Sequence, residues 1–385
     1  MELETKYGIV KIYAKTVSEH ALGQIIKVAN SPLGENAHIR IMPDCHEGKG
    51  CVIGTTMKIV DKVCPNLVGA DIGCGVTLVK TNIDFKQNFE NLDKVINKYV
   101  PYGTNVHKTI KPYPFEKLKC WKFLSDNVKL IAQRSLGSLG GGNHFIEAYD
   151  NGFLSVHSGS RNIGQMVAKH YQKLAETSLI EEMCNKRKIA LLEVPEEKRE
   201  QFLKENVISI EENLCYLTGQ NLQDYLHDVG ILQEFADLNR HTILKTIAEN
   251  LGGKILEEIN SVHNYIDLKY NVLRKGSISA QKDEILVIPL NMKDGMLICK
   301  GKGNEDWNYS APHGAGRLYP RNKCKELFTV EEYQMEMEGI YSSRIGLYTL
   351  DEAPFVYKDY KEIMDCIQPS VEILERIKPI YNFKA

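Results

Sequence analysis

The spacing of apolar residues predicts short strands and longer helices that follow one another along the chain. Ser18 has the residue type of a helix N-cap, and the apolar positions after it keep a 3.6-residue period at Leu22, Ile25, Ile26 and Ala29. Runs with the composition of strands come next, separated by glycine-bearing turns, at His38–Met42, Cys51–Met57 and Val76–Thr81. Further helices are expected over Glu116–Leu136 and from Arg161 toward Leu179.

The second half of the chain continues this mixture. Charged residues dominate the segment from about 181 to 218, which we expect to be a helical excursion on the surface. The remaining expectations are a long helical pattern with room for one break over Asn221–Asn250, strands within Lys254–Lys300 that are clearest at Glu284–Ile288, and helices over Glu331–Ile340 and Asp359–Ile377. Because strands occur before, between and after helices, the pattern favours one α+β domain over residues 1–385.

Composition places the chain among ordinary globular proteins. Of its 385 residues, 43% are apolar and 25% are charged, which excludes a collagen-like, disordered or disulfide-scaffold protein. No apolar run approaches the roughly 18 residues of a membrane span, and the acidic start at Met1–Glu4 does not resemble a signal peptide. We therefore expect a cytoplasmic protein. The net charge of −2 argues against coating of nucleic acid by bulk electrostatics, although a local basic groove remains compatible with it.

Familiar cysteine and nucleotide motifs are absent from the sequence. The ten cysteines include no C-x-x-C pair, which disfavours a zinc ribbon or a thioredoxin-type site and favours reduced thiols. There is no G-x-x-x-x-G-K-[ST] string and no G-x-G-x-x-G after a strand. If the protein uses a nucleotide, it does so without a P-loop or a Rossmann turn.

Five polar clusters combine ligand-type or nucleophilic residues with glycines or turns. They are Met42–Gly48, Asp71–Gly75, Gly140–Glu147, Val156–Arg161 and Ala311–Arg317, and His263 follows a further apolar stretch. Each residue alone has an ordinary explanation, because loop histidines are commonly structural, Asp71 can brace a turn, and Cys74 can be a small buried apolar residue. Together they supply the carboxylate, thiolate and imidazole ligands of a two-metal site, with Asp71 and Cys74 on one side of a single turn.

A set of basic residues accompanies these clusters. It consists of Arg161, Arg240, Arg274, Lys275, Arg317 and Arg321. Such side chains can bind phosphates, and charged residues at loop ends can equally be solvated without a ligand.

In combination, these motifs resemble the RtcB family of GTP-dependent RNA ligases over essentially the full length of the chain. The strings that carry the resemblance are Met42–Gly48, Asp71–Gly75, Gly142–Glu147, His157–Arg161 and His313–Arg317. The resemblance implies an RtcB-like α+β fold with the active site in a central cleft. It also implies an enzyme that joins RNA ending in a 2′,3′-cyclic phosphate or 3′-phosphate to RNA with a 5′-hydroxyl, in RNA repair or tRNA splicing. Two Mn²⁺ ions and GTP would take part, through a histidine–guanylate and then a guanylate on the RNA 3′-phosphate.

The resemblance also assigns roles to individual positions. His313 would be the guanylylated nucleophile, oriented by Asp44. The metal ligands would be Asp71, Cys74, His144, His157 and His263, with Cys74 bridging the two ions. The nucleotide would be held by Asn143, Glu147, Asn291, Gly314, Ala315, Gly316 and Lys384, in addition to His313. RNA or phosphate would be held by Arg161, Arg240, Lys275 and Arg321.

The sequence departs from the better-known members in one loop, and this motivates alternatives. Where those members carry Ile-Pro-Gly-Ser-Met in a nucleotide-phosphate loop, this chain has Leu290 and Asn291 within Ile288–Met292. A metal-dependent cyclic-phosphate or phosphate-ester hydrolase that no longer uses GTP is therefore the main alternative, and a non-catalytic RNA-end binder is a third hypothesis. A Cys/His-rich site also favours Zn²⁺ over Mn²⁺ in intrinsic affinity, so zinc is expected as an inhibitory occupant. The sequence does not reveal whether an activating partner such as archease is needed.

Overall fold

The computed structural model describes residues 1–385 and contains ten α-helices and sixteen β-strands in four sheets. The helices are α1 (Glu19–Asn30), α2 (Pro65–Val68), α3 (Phe89–Tyr99), α4 (Asp126–Gln133), α5 (Arg161–Leu192), α6 (Arg199–Glu205), α7 (Gly219–Asn250), α8 (Arg321–Leu327), α9 (Val330–Glu336) and α10 (Tyr360–Ile367). The first eight strands are β1 (Glu2–Thr5), β2 (Gly8–Ile12), β3 (Arg40–His46), β4 (Ile53–Lys58), β5 (Gly75–Thr81), β6 (Phe145–Tyr149), β7 (Phe153–Ser158) and β8 (Ile255–Val262). The other eight are β9 (Asn264–Asp267), β10 (Val272–Lys275), β11 (Ser277–Ser279), β12 (Ile285–Asn291), β13 (Gly295–Gly301), β14 (Ser310–Pro312), β15 (Val371–Ile377) and β16 (Pro379–Lys384). The α+β class expected from the sequence is confirmed.

A five-stranded antiparallel sheet, with strand order β16-β6-β7-β5-β8, lies at the centre of the architecture. Gly75 at the start of β5 pairs with Ser158 at the end of β7 and with Val262 at the end of β8. Phe145 at the start of β6 pairs with His157 on β7. The antiparallel register therefore brings the beginnings of β5 and β6 and the ends of β7 and β8 to one edge of the sheet.

Helix α7 supports this sheet from one side. It packs against β5 and β7, and the buried positions on that helix include Leu232, Ala236 and Ile243, which recur at helical spacing. No break interrupts its 32 residues, so the expected interruption within Asn221–Asn250 is not found.

Two other sheets position Asp44 and the loop that carries His313. The six-stranded sheet has the order β1-β2-β3-β4-β10-β9, and β3 carries Asp44. Strand β14 pairs with β11, with Pro312 opposite Ser277, which places the loop after β14 beside β11.

Several local predictions are confirmed. The Ser18 side chain accepts a hydrogen bond from the Ala21 amide and caps α1, whose buried residues include Ile25 and Ala29. The three early strands exist, with ends shifted by one to four residues at β3, β4 and β5.

Two helix predictions are wrong over part of their length. Within Glu116–Leu136 the chain forms two 3₁₀ turns, and the α-helix begins only at Asp126, where the Ser125 side chain accepts from the Val128 amide. Within Asp359–Ile377 helix α10 ends at Ile367, because Pro369 cannot continue it, and the following residues form β15. The C-terminal quarter is therefore less helical than expected.

The charged excursion is a continuation of α5 rather than a separate unit. The buried positions of α5 end at Ala175, and the helix runs on as a largely exposed rod to Leu192, shortly before Pro195. After α6 the chain returns to the body, where Leu214 and Leu217 are buried and Leu217 bridges to Val63. None of the helices is both long and apolar enough to traverse a membrane.

Candidate active site

The five proposed metal ligands meet at the edge of the five-stranded sheet. Asp71 and Cys74 lie in the turn that leads into β5, His144 directly precedes β6, His157 lies on β7, and His263 directly follows β8. Residues separated by up to 192 positions in sequence therefore converge because the antiparallel register aligns these strand ends.

The candidate ligand atoms lie close enough together to coordinate shared cations. The Cys74 Sγ atom is 3.2 Å from His157 Nε2 and 3.5 Å from His144 Nε2. The His157 and His263 Nε2 atoms are 3.2 Å apart, and His144 Nε2 is 3.1 Å from Asp71 Oδ2. All four non-carboxylate ligands are buried.

Hydrogen bonds outside the cluster set the tautomers of two histidines. His144 Nδ1 lies 2.7 Å from the Leu139 carbonyl oxygen, and His157 Nδ1 lies 3.0 Å from the Asn143 carbonyl oxygen. A carbonyl only accepts, so each Nδ1 carries the proton and each neutral ring points an Nε2 lone pair into the cluster. Burial lowers the pKa of His157 and of His263 well below the usual range, which keeps both rings neutral.

This arrangement fits a metal site. Neutral His157 directs its Nε2 lone pair toward Cys74 Sγ and His263 Nε2, an arrangement that suits a shared cation. Burial, and then the Asp71 carboxylate, raises the pKa of the Cys74 thiol well above its ordinary value, so a cation is needed to ionise it. The donor set of one thiolate, three imidazoles and one carboxylate is suited to Zn²⁺ and to other divalent transition metals.

Arg240 links two segments that carry candidate metal ligands. Its guanidinium is fully buried and donates to the carbonyl oxygens of Gly73 and Ser158 at 2.7 and 3.0 Å, and to Thr77 Oγ1 at 2.9 Å. These bonds link the Asp71–Cys74 turn to the end of β7, directly after His157. The placement differs from the expected contact with phosphate or RNA, because no face of this guanidinium is open to a ligand.

His313 lies beside the cluster and is oriented by Asp44. The ring centroids of His313 and His263 are 4.9 Å apart. His313 Nδ1 is 2.6 Å from Asp44 Oδ2, and the His313 backbone amide donates to the same oxygen at 3.2 Å. Since Asp44 fixes the proton on Nδ1, the Nε2 atom of neutral His313 carries a free lone pair.

The loop after His313 packs directly on Asp44. Gly316 has a φ of +77°, and a β-carbon there would lie 2.5 Å from the Asp44 carbonyl oxygen. Glycine is therefore required at this position by backbone conformation and by space. The loop residues Gly314, Ala315 and Gly316 line a cavity next to His313.

That cavity is lined by all eight residues expected to hold a nucleotide. Those shared with the sequence prediction are Asn143, Glu147, Asn291, His313, Gly314, Ala315, Gly316 and Lys384, together with the metal-ligand candidates His157 and His263. The Asn143 carbonyl accepts from Lys384 Nζ at 3.0 Å, while its side-chain amide makes no hydrogen bond within the protein. Pairing of β16 with β6 places Lys384 opposite Phe145 and Asn382 opposite Glu147.

Glu147 is a buried carboxylate with two fixed donors. Tyr149 donates to Oε2 at 2.8 Å and Asn382 donates to Oε1 at 2.9 Å. Burial raises the pKa of Glu147 to about 7, although these hydrogen bonds oppose the shift. Each carboxylate oxygen retains a second acceptor site toward the cavity.

Glu352, which the sequence did not single out, joins the cations of the cavity into one network. Its side chain is 2.7 Å from Lys384 Nζ, 2.5 Å from Arg321 Nη1 and 3.3 Å from Arg317 Nη1. Tyr357 donates to it at 2.6 Å. Burial opposes its ionisation, but Lys384 and Arg321 outweigh burial and lower the pKa of Glu352 to about 2. We call Glu352, Arg317, Arg321 and Lys384 the Glu352 network.

The altered loop forms the turn between β12 and β13. Asn291 Oδ1 accepts from the amides of Lys293 and Asp294, and Asn291 Nδ2 donates to Asp294 Oδ2 at 2.8 Å. The Asn291 amide is therefore engaged by the turn that it stabilises, although the residue lines the cavity.

The other predicted basic residues have separate environments. Arg161 has a left-handed φ of +63° at the start of α5 and donates to Ser138 Oγ and to the Gly103 carbonyl oxygen. Lys275 is buried and donates to the carbonyl oxygens of Lys49 and Asn66. Arg321 pairs with Asp351 and Glu352 where it lines the cavity next to His313.

Comparisons with known proteins identify the family of this chain. The family model described as tRNA-splicing ligase RtcB matches residues 24–129 and 114–385. The chain is 29% identical to the RNA-splicing ligase RtcB of Escherichia coli K12, with 99% of this chain and 98% of that protein covered. It is 25% identical to the tRNA-splicing ligase RtcB of Methanococcus maripaludis, with 95% and 92% covered. The match across nearly the whole chain shows that this protein belongs to the RtcB family.

Proposed function

We propose that this protein is an RNA ligase that joins an RNA 3′-phosphate or 2′,3′-cyclic phosphate end to a 5′-hydroxyl end and uses GTP. The observation that carries the proposal is the position of His313. Asp44 holds its Nδ1 proton at 2.6 Å, and its ring lies beside the metal-ligand cluster and lines the cavity that contains Glu147 and Lys384. A neutral imidazole next to a nucleotide-sized set of polar groups suits nucleophilic attack on a phosphate.

The first step proposed is transfer of guanylate to His313. The Nε2 lone pair attacks the α-phosphorus of GTP, the N–P bond forms, and the bond to the departing pyrophosphate breaks. The ring gains positive character in this step, and the Asp44 carboxylate stabilises it through the Nδ1–H bond. An oxygen of the RNA 3′-phosphate then attacks the same phosphorus and releases His313.

The last step proposed is sealing of the RNA. The 5′-hydroxyl oxygen attacks the activated 3′-phosphate and forms the O5′–P bond. The bond from that phosphorus to the guanylate oxygen breaks, GMP departs, and the hydroxyl proton is released to solvent. Two Mn²⁺ ions held by Asp71, Cys74, His144, His157 and His263 would neutralise charge on the phosphoryl oxygens during these transfers.

Recognition of guanine is assigned to Glu147. An ionised carboxylate accepts from the N1–H and exocyclic N2–H groups of guanine, whereas adenine offers no matching pair of donors on that edge. Glu147 lies on β6 with its position fixed by Tyr149 and Asn382, and Lys384 approaches from the paired strand β16. Asn143 supplies a free side-chain amide to the nucleotide.

The experiment that tests this proposal is labelling with GTP carrying the label at its α-phosphate, in the presence of Mn²⁺, followed by denaturation and counting of protein-bound label. Wild type, His313→Ala and the control His241→Ala would be compared, since His241 is half-exposed and paired with Glu258 outside the cavity. We expect acid-labile label on wild type and on the control only, and its release when RNA with a 3′-phosphate is added. Label on His313→Ala equal to wild type would refute the role of His313.

The second candidate is a metal-dependent phosphate-ester hydrolase that does not use GTP. It is favoured by one observation, the engagement of the Asn291 amide by its own turn, which leaves the altered loop without that donor for nucleotide phosphates. Absence of label on wild type with metal bound, together with GTP-independent hydrolysis of a 2′,3′-cyclic phosphate, would select this candidate.

A further inference from the structure

A second groove lies next to the metal-ligand cluster and shares no residue with the nucleotide cavity. It has a volume of about 490 Å³ and is lined by α2, by the exposed side of the first turns of α5, and by Lys49, Asn264 and Lys275. Gly69 and Ala70, which precede Asp71 in the chain, and Asn264, which follows His263, form its wall nearest the cluster. We call it the α5 groove.

The α5 groove has an excess of positive charge. Its cations are Lys49, Lys169, Lys173 and Lys275, and its one acidic residue, Glu176, is already paired with Lys173 at 3.2 Å. Lys275 is buried with only the carbonyl oxygens of Lys49 and Asn66 as partners. A buried ammonium without a carboxylate is costly, and an anion in the groove would reduce that cost.

The groove also offers neutral donors of the kind that contact a nucleic-acid backbone. The Asn264 side chain accepts from the Gly276 amide through Oδ1, and its amide nitrogen has no acceptor within the protein. Gln165 lies exposed on α5 at the same wall. Amide and lysine donors spaced along a groove are typical of contacts to RNA phosphates.

The position of the groove relative to the nucleotide cavity indicates which RNA strand it suits. Adjacent residues of an extended chain point to opposite sides, and His263 lines the nucleotide cavity whereas Asn264 lines the α5 groove. The groove and the cavity therefore lie on opposite sides of the β8–β9 connection. In phosphoryl transfer the attacking and leaving oxygens are roughly in line, so the attacking strand approaches from the side opposite the leaving guanylate.

From these observations we infer that the α5 groove binds the backbone phosphates of the RNA strand that carries the 5′-hydroxyl. The inference rests on the proposed function for its assignment of leaving group and attacking strand. It adds Lys49, Lys169 and Lys173, on two separate segments, to the residues that engage RNA, and it gives buried Lys275 an anionic partner.

The test measures binding and ligation separately in Lys49→Ala, Lys169→Ala and the double variant, with Lys188→Ala as matched control. Lys188 is exposed on the projecting part of the same helix, far along it from the groove. Binding is measured by fluorescence anisotropy of RNA oligonucleotides with a 5′-hydroxyl, without GTP, over a series of salt concentrations. Ligation kinetics then give KM for the 5′-hydroxyl strand and for the 3′-phosphate strand in turn.

We expect each groove substitution to make the salt dependence shallower by about 0.7 in log Kd per log salt, and to weaken binding about fivefold at 0.1 M salt. The double variant should lose about 25-fold, with KM raised for the 5′-hydroxyl strand and kcat maintained. Equal losses in Lys188→Ala, or an equal rise in KM for the 3′-phosphate strand, would overturn the inference. Failure of wild type to take label from GTP would count against the proposed function alone, because the anisotropy measurement does not use GTP.

Discussion

Replacement of Asp44 by asparagine tests how His313 is prepared for reaction. Asp44 is fully buried, and its Oδ2 accepts from both the Nδ1 and the backbone amide of His313, while Oδ1 has no hydrogen-bond partner. Asparagine has the same shape but offers one acceptor and one donor group instead of two acceptors. The substitution therefore changes proton placement and charge without changing packing.

The magnitude depends on which way the new amide faces. If its oxygen takes the Oδ2 position, both bonds to His313 survive, but the charge-assisted bond becomes a neutral one at a loss of about 1–1.5 kcal/mol, roughly tenfold in rate. If its nitrogen takes that position, the ring must move its proton to Nε2 and the nucleophilic lone pair is lost. The same change of carboxylate to amide beside a catalytic histidine lowers kcat by about 10⁴ in serine proteases. We expect guanylylation of His313 to fall by between about tenfold and 10⁴-fold.

The assay is the rate of label uptake from α-labelled GTP, measured beside thermal unfolding of each variant. Glu47→Gln is the matched control, because Glu47 is an exposed carboxylate three residues away whose contact is with Ser18. Asp44→Asn should unfold within a few degrees of wild type, since the amide is isosteric. A labelling rate for Asp44→Asn equal to that of Glu47→Gln would refute the orienting role of Asp44.

Three further outcomes follow from buried groups of the site. In the proposed function ionised Glu147 accepts from guanine, and burial raises its pKa to about 7. The affinity for GTP measured by calorimetry should therefore fall as the pH drops through 7 and stay level well above it, and a flat profile from pH 6 to 8 would contradict this. Arg240→Met removes the buried hydrogen bonds to the Gly73 and Ser158 carbonyl oxygens, so chemical denaturation should show a loss of about 3–5 kcal/mol in the free energy of unfolding. The absorption band of the cobalt–thiolate bond in Co²⁺-loaded protein should also weaken, whereas a stable variant with an unaltered band would exclude the positioning role. Protein purified without added manganese should contain zinc by elemental analysis and be inhibited by it. Retention of manganese alone after zinc challenge would show that metal binding at the Cys74 site does not follow the intrinsic affinity order of divalent metals.

Local sequence signals predicted those elements whose start or end is decided by one or two residues. The cap at Ser18 located α1, and a cap of the same type at Ser125 would have located α4 if it had been weighed against the longer apolar pattern that begins at Glu116. Pro369 similarly marks the end of α10. Strands β6, β7 and β16 were not predicted, because a short buried strand has an apolar run too brief to distinguish from a loop, and its existence depends on partners far along the chain.

The polar clusters that contain the candidate ligands and His313 were visible in the sequence because such residues are unusual in glycine-rich loops, whereas their individual roles came from the family resemblance and stay predictions. The roles of the basic residues could not be found in the same way. Arg240 and Arg321 are the same residue type, yet Arg240 is fully buried beside the candidate metal ligands and Arg321 is half-exposed where it lines the cavity next to His313. Whether a guanidinium supports the protein or is open to a ligand depends on the donors and acceptors around it, and those come from other parts of the chain.

Glu352 shows what such an arrangement contributes to the whole site. A single carboxylate contacts Lys384, which the proposed function places near guanine, and also Arg321 and Arg317. With Asp351 paired to Arg321 as well, two carboxylates face the three cations of this network, and ionised Glu147 in the same cavity supplies a third negative charge. One buried group therefore joins Lys384 on β16 to Arg321 on α8 and to Arg317, and Lys384 and Arg321 keep it ionised although burial opposes its charge.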